Sequence, residues 1–264
     1  MPDAMLRAAL FGLAAIVALA VLTWLVSLAR RDVSVVDSLW SVFITSAGVV
    51  YAVVLPATSA RPSLMLALAV VWALRLSIYI TWRNHGHGED RRYQQIRARN
   101  QPHFALKSLV YIFGLQALLA WVLSAPFLAG FSGPNPLNAL DLIGAALAAF
   151  GIVYEAVADR QMARFKADLV NQGQVMDRGL WRYSRHPNYF GECCTWWGLF
   201  LIALAAGGAW WSIVSPLLMT ILLLKVSGVN LLEADIGERR PAYRDYIART
   251  SAFVPGRRRR TGSA

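Results

Sequence analysis

Runs of about 20 apolar residues recur along this chain, and membrane-spanning helices are what such runs build. A bilayer interior offers no water to the backbone, so each span must satisfy its own N–H and C=O groups, as a helix does. Seven runs are legible, at roughly 5–29, 33–55, 62–82, 104–131, 138–158, 190–210 and 211–231. The last two are split only by Gly207-Gly208. An apolar share of 57% against 16% charged residues agrees with a polytopic membrane protein. The expected fold class is all-α, with seven transmembrane helices.

Charge placement orients them. Of 26 Lys and Arg, 23 share one side: Arg30 and Arg31, six in 83–107, six in 159–190, and nine from Lys225 onward. Arg7 and Arg61 fall on the other side, and Arg75 lies inside a span. By the positive-inside rule the N-terminus is outside and the C-terminus cytoplasmic, which an odd number of spans also requires. The expected location is a bacterial inner membrane.

The net charge of +11 then follows from topology and attraction to anionic lipid, the terminal Arg257–Arg260 run included. No nucleic-acid partner is needed to account for it. The first run is too long for a signal-peptide core and lacks a small-residue cleavage site, so it is expected to stay as a helix. Cys193 and Cys194 are adjacent, which disfavours a bridge, and they read as packing residues with no metal site.

No internal repeat is visible, and 1–264 is expected to form one membrane domain. Within it, 1–131 would carry helices 1–4 and the substrate side. Residues 138–256 would carry helices 5–7, their cytoplasmic loops and the cofactor side, and 257–264 a basic tail. Two insertions, 83–103 and 159–189, are polar and aromatic and are expected to fold. The first opens with His85, His87, Glu89 and Asp90, whose spacing is too loose for a metal and reads as a solvated loop, followed by a helix over 91–100. Asn171-Gln172-Gly173 and Asp177-Arg178-Gly179 read as turns. A short helix is expected over 238–247, with Tyr243 and Tyr246 on one face.

Three residues on early spans are candidates for chemistry. Asp37 lies one turn inside the second run, where a carboxylate is costly unless it pairs or faces a cavity. Arg75 lies mid-run and cannot shed its charge; Asp37 is a candidate partner, and such a pair would also serve structure alone. Tyr79, one turn after Arg75, offers a hydroxyl or serves as an interfacial anchor.

The densest polar cluster covers 159–192. Asp159, Arg164 and Lys166 follow the fifth run, and Arg178, Trp181, Arg182, Arg185, His186, Asn188, Tyr189 and Glu192 precede or enter the sixth. Topology alone supplies the cations; it does not require the aromatics, the asparagine or the acids. With Glu233 leaving the seventh run, this set suits a pocket for an anionic nucleotide, gripping phosphates and holding an amide or ribose. No Gly-x-Gly-x-x-Gly motif follows a strand, so a soluble dinucleotide fold is not indicated.

Residues 179–192, followed by Trp196-Trp197-Gly198, Tyr243-x-x-Tyr246 and Phe253-Val254-Pro255, resemble the C-terminal half of the steroid 5-alpha-reductase-like membrane proteins, most of all their bacterial branch. The resemblance implies a seven-helix reductase that binds NADPH from the cytoplasmic side. Its hydride would pass to the beta carbon of an enone such as a 3-oxo-Δ4 steroid or another apolar enone lipid. Residue by residue, the family's cofactor asparagine falls on Asn188, its glutamate on Glu192, its aspartate on Asp159 and its basic residue on Lys166 or Arg164. The late tyrosines fall on Tyr243 and Tyr246, and the acid that meets the substrate carbonyl falls on Asp37. Trp72 stands near the position of the family's third-helix tyrosine, and Tyr79 lies two turns later. In the chemistry implied, a protonated acid or a tyrosine stabilises the charge that develops on the carbonyl oxygen.

The same stretches resemble integral-membrane methyltransferases for isoprenylcysteine and phospholipids, through Arg185–Gly191 and the late Glu233, Tyr243 and Tyr246. That reading replaces NADPH with S-adenosylmethionine. A non-catalytic sterol- or lipid-binding role is the third possibility. The six cations of 159–190 favour the anionic cofactor, and Asp37 with Arg75 favours carbonyl chemistry.

Overall fold

The structure is a computed structural model and describes residues 2–56, 59–226 and 241–259. The described elements are helical: α1 Pro2–Arg30, α2 Val35–Val54, α3 Arg61–Asn84, α4 Arg91–Arg99, α5 Phe104–Ser132, α6 Ala139–Ala167, α7 Pro187–Ala205, α8 Val214–Ile221 and α9 Ala242–Arg249. Five of them, α1, α2, α3, α5 and α6, are long and apolar enough to cross a membrane. They coincide with the first five apolar runs.

The sixth and seventh runs are not among these five. α7 has 19 residues, but its opening turns carry Asn188 and Glu192. α8 is short and lies between a 3-10 turn, Trp210–Ile213, and a π turn, Leu222–Val226. The rest of the seventh run lies outside the described residues, as does Glu233. α6 also continues to Ala167, so Asp159, Arg164 and Lys166 belong to the helix and do not follow it. The charges of 159–167 end an apolar run; they do not end a helix, because Arg, Gln, Met, Ala and Lys are good helix formers.

The chain divides into two compact units, Met1–Leu142 with Phe200–Ser215, and Ile143–Leu199 with Pro216–Ala264. In the first, α2 packs along both α1 and α3. Gly12 permits this approach: a Cβ there would stand 2.4 Å from the Tyr51 ring. The Tyr51 hydroxyl shares a hydrogen bond of 2.8 Å with Ser124. α2 ends at Leu55, extended ahead of Pro56 as a residue before proline prefers.

In the second unit, α6 and α7 cross on glycines. A Cβ on Gly151 would lie 2.4 Å from the Gly191 carbonyl, and one on Gly198 2.5 Å from the Ala148 amide. Gly191 and Gly198 are seven apart, so they meet the same face of α6 two turns apart. This seam brings Glu155 of α6 beside the start of α7, where a Cβ on Gly191 would lie 2.9 Å from the Glu155 Cβ.

Candidate functional site

The first unit gathers one group of polar residues around Asp37, in the first turn of α2. The Tyr93 hydroxyl donates to Asp37 Oδ1 at 2.6 Å, and Arg92 Nη2 donates to Oδ2 at 2.9 Å. Both come from α4, the short helix of the first insertion. Gln116 of α5 donates to the Tyr93 oxygen at 3.3 Å. Asp90 caps α4 by accepting from the Arg92 amide at 2.9 Å, and takes Arg92 Nε at 3.0 Å.

Glu89 fixes this helix in place. It accepts from the Val33 amide at 2.9 Å and from Arg97 Nε and Nη2 at 2.8 and 2.7 Å. Arg97 also lies 4.4 Å from the centre of the Phe104 ring. Glu89 and Asp90 therefore depart from the solvated loop expected of them: each organises a helix end. Burial pushes the Glu89 carboxyl up, but its hydrogen bonds from Arg97 and Val33 and the Arg97 charge carry it below the usual range. Asp90 follows the same pattern with Arg92 and is also held low.

Burial pushes the Tyr93 phenol well up, and the Asp37 charge and the hydrogen bond to it add to that shift. Its proton is thus retained across the physiological range. Arg92 and Tyr93 were not among the residues singled out from sequence. A usable signal existed: Asp90 is a good N-cap, and Tyr93 is the one aromatic residue in a short, mostly polar helix. The ion partner given to Asp37 is Arg92. Arg75 lies half-buried on α3. Tyr79 sits against Trp82, ring centres 6.1 Å apart, with Arg83 at 6.0 Å from its ring.

In the second unit the cluster of 159–192 separates into three groups. Arg164, Lys166, Arg178 and Arg182 are exposed. Arg185 and Tyr246 are buried and tie the chain to itself. Arg185 Nη1 donates to the Ile247 and Thr250 carbonyls at 3.1 and 2.5 Å, at the C-terminus of α9 where a cation suits the helix dipole. The Tyr246 hydroxyl donates to the Trp181 carbonyl and, at 3.3 Å, to that of Ser184. Burial pushes the Tyr246 phenol up, which keeps it a donor. The Arg185 amide donates to Ser251 at 2.9 Å, Ser184 Oγ to Phe253 at 2.7 Å, and the Gly256 amide to Tyr183 at 3.0 Å. The C-terminal segment is thereby strapped along 183–185.

The third group remains: Asp159, His186 and Glu192, all buried, with Asn188 and Tyr189 half-buried. His186 and Tyr189 stack in parallel, centres 5.3 Å apart. Asn188 Oδ1 is buried without a hydrogen-bond partner among the described residues. Trp181 is anchored beside this group, its indole donating to the Ala158 carbonyl at 3.0 Å. Gly179, at φ +57°, lets the turn pass over Gln161, whose side chain accepts from the Leu180 amide at 2.9 Å. Tyr243 packs edge-on against Tyr246 at 5.2 Å, as their spacing on one face implies. Glu155, one turn before Asp159 and also buried, was missed in the sequence, although the pair sits at i, i+4 on an apolar helix.

The chain belongs to the family described as Protein of unknown function (DUF1295), whose profile matches residues 23–250. It is similar to an uncharacterized protein of Schizosaccharomyces pombe, 28% identical over 262 residues, covering 88% of this chain and 75% of the relative. No solved structure matches it.

Proposed function

We propose that the protein is an NADPH-dependent reductase of the carbon–carbon double bond of an enone lipid. It would sit in a bacterial inner membrane as seven spans, with its N-terminus outside and its cofactor residues facing the cytoplasm. The observation that carries the reading is the Tyr93 hydroxyl held on Asp37 at 2.6 Å. The family also includes steroid 5-alpha-reductase-like proteins, which agrees with it.

In such a reaction hydride adds to the beta carbon, the double-bond electrons move toward the carbonyl oxygen, and the alpha carbon then takes a proton. NADPH, when bound, supplies the hydride. Tyr93 is the electrophile: its hydroxyl turns its hydrogen bond from Asp37 to the substrate oxygen and stabilises the growing enolate charge, and water supplies the proton that the alpha carbon takes as the enolate collapses to the ketone. Asp37 and Gln116 keep the phenol oriented for that exchange. In the second unit, the orphaned Asn188 Oδ1 fits an amide N–H donor, the His186–Tyr189 pair offers flat faces, and the exposed Arg164, Lys166, Arg178 and Arg182 suit phosphates.

One observation favours a second reading. Glu155, Asp159 and Glu192 are three buried acids, and these suit S-adenosylmethionine, a cation, better than NADPH. Thermal unfolding of the purified protein with each cofactor separates the two, since a ligand that binds the fold raises its apparent stability. NADPH is expected to raise Tm, and Asn188→Ala to weaken that rise. Stabilisation by S-adenosylmethionine alone overturns the reductase, and no response to either leaves sterol or lipid binding in its place.

A further inference from the structure

Among the described hydrogen bonds, Arg92 bridges Asp90 to Asp37. Asp90 takes Nε of that guanidinium at 3.0 Å and Nη2 at 3.3 Å, while the same Nη2 reaches Asp37 Oδ2 at 2.9 Å. Tyr93 holds the other oxygen of Asp37. The four side chains form a line, Asp90, Arg92, Asp37, Tyr93, with Gln116 closing its far end. Arginine presents a planar fork, so a carboxylate gripping one edge fixes the direction of the opposite donors.

We propose that Asp90 is a positioning residue: through Arg92 it orients the Asp37 carboxylate and so sets how firmly the Tyr93 proton is held. This rests on the role given to Tyr93 above. The charged groups facing Tyr93 and its acceptor are Asp37 from α2, Arg92 and Asp90 at the start of α4, and Arg83 at the end of α3. Asp90 sits one residue before α4, while Asp37 and Arg92 are partly open to solvent at 19% and 39% exposure, so the line reaches from a loop to a half-covered acid.

Asp90 has a second task, as N-cap of α4, and the test must separate the two. Asparagine caps a helix as well as aspartate does, so Asp90→Asn keeps the cap and removes the charge that grips Arg92. A tetrafluorinated tyrosine, whose phenol is several pH units more acidic than that of tyrosine, placed at position 93 of the full chain brings this raised ionisation into the range where the protein stays folded and reports it by fluorine NMR, with neither substrate nor cofactor present. In Asp90→Asn the titration midpoint of that phenol is expected to fall by roughly one pH unit, with Tm lowered only slightly, as the loss of a partly exposed ion pair allows. In an Arg92→Gln background the same substitution is expected to move it by less than about a third of that, because linked residues are non-additive. An unmoved midpoint in Asp90→Asn overturns the proposal, as does an equal shift in both backgrounds. NADPH oxidation with enone substrates is scored separately. If it fails in the parent while the titration behaves as expected, the reductase reading falls and the positioning role stands.

Discussion

Two of the ion clusters in the first unit lie near opposite ends of α2 and differ in how completely their charges are satisfied. Close to the start of α3, Arg61 and Asp141 are sealed at 0% and 1% exposure. Arg61 bonds Asp141 twice, at 2.8 and 3.0 Å, and the Asn135 and Pro136 carbonyls at 2.8 and 2.9 Å. Asp141 also takes the Asn138 amide at 2.8 Å. At the start of α2, Asp37 and Arg92 stay partly open. A closed cluster with each guanidinium nitrogen engaged fastens a loop. An open one with a phenol aimed at a carboxylate has room to exchange partners with a ligand.

The contrast is easiest to break at the closed end. Arg61→Ala strands a buried carboxylate and is expected to destabilise the protein by about 3–5 kcal/mol, read as a lower unfolding midpoint in detergent. Replacing both partners, Arg61→Met with Asp141→Leu, is expected to recover most of the loss, because no charge is then left unpaired. Full stability in the single variant would remove the distinction between the clusters.

At the open end, Tyr93→Phe is expected to slow enone reduction by about 10²-fold, the lower range for loss of a positioned proton donor. Its unfolding midpoint should fall less than that of Arg61→Ala, since Phe keeps the ring packed. Steady-state rates alongside Tm decide this. Equal loss of fold and rate would place Tyr93 with Arg61 as a fastener.

What was legible in the sequence follows the same division. The first five spans could be read because hydrocarbon imposes length and polarity on each residue separately. The end of α6 could not, since Arg164 and Lys166 mark the edge of an apolar run while helix propensity carries the backbone past them. Asp37 was conspicuous as an acid in a span. Its partners were not, because Arg92 and Tyr93 reach it from a short helix more than fifty residues away. Arg185 shows the reverse: it looked like a phosphate ligand beside His186, and the structure gives it the carbonyls at the end of α9. Composition identifies the charges that need partners, and only the fold says which partners they find.

The smallest effect concerns the clamp that carries the open cluster. Glu89 is held below its ordinary value of 4.5, so the folded protein releases that proton more readily than the unfolded chain. Its contribution to stability is therefore complete above the unfolded value and disappears as pH falls through the lower folded value. Asp90, held below 3.8, acts in the same direction. Wild-type protein should lose stability on acidification from about pH 5 downward. Glu89→Gln should cost about 1 kcal/mol at neutral pH, as expected for a largely covered hydrogen-bonded ion pair near the surface. It should also flatten the acid limb, and unfolding midpoints between pH 3 and 7 measure both. Because Arg97 still stacks on Phe104 and Asp90 still caps α4, the fluorinated Tyr93 should titrate as in the parent. A shift there would mean that the clamp and the open cluster are one network, and that α4 transmits strain between them.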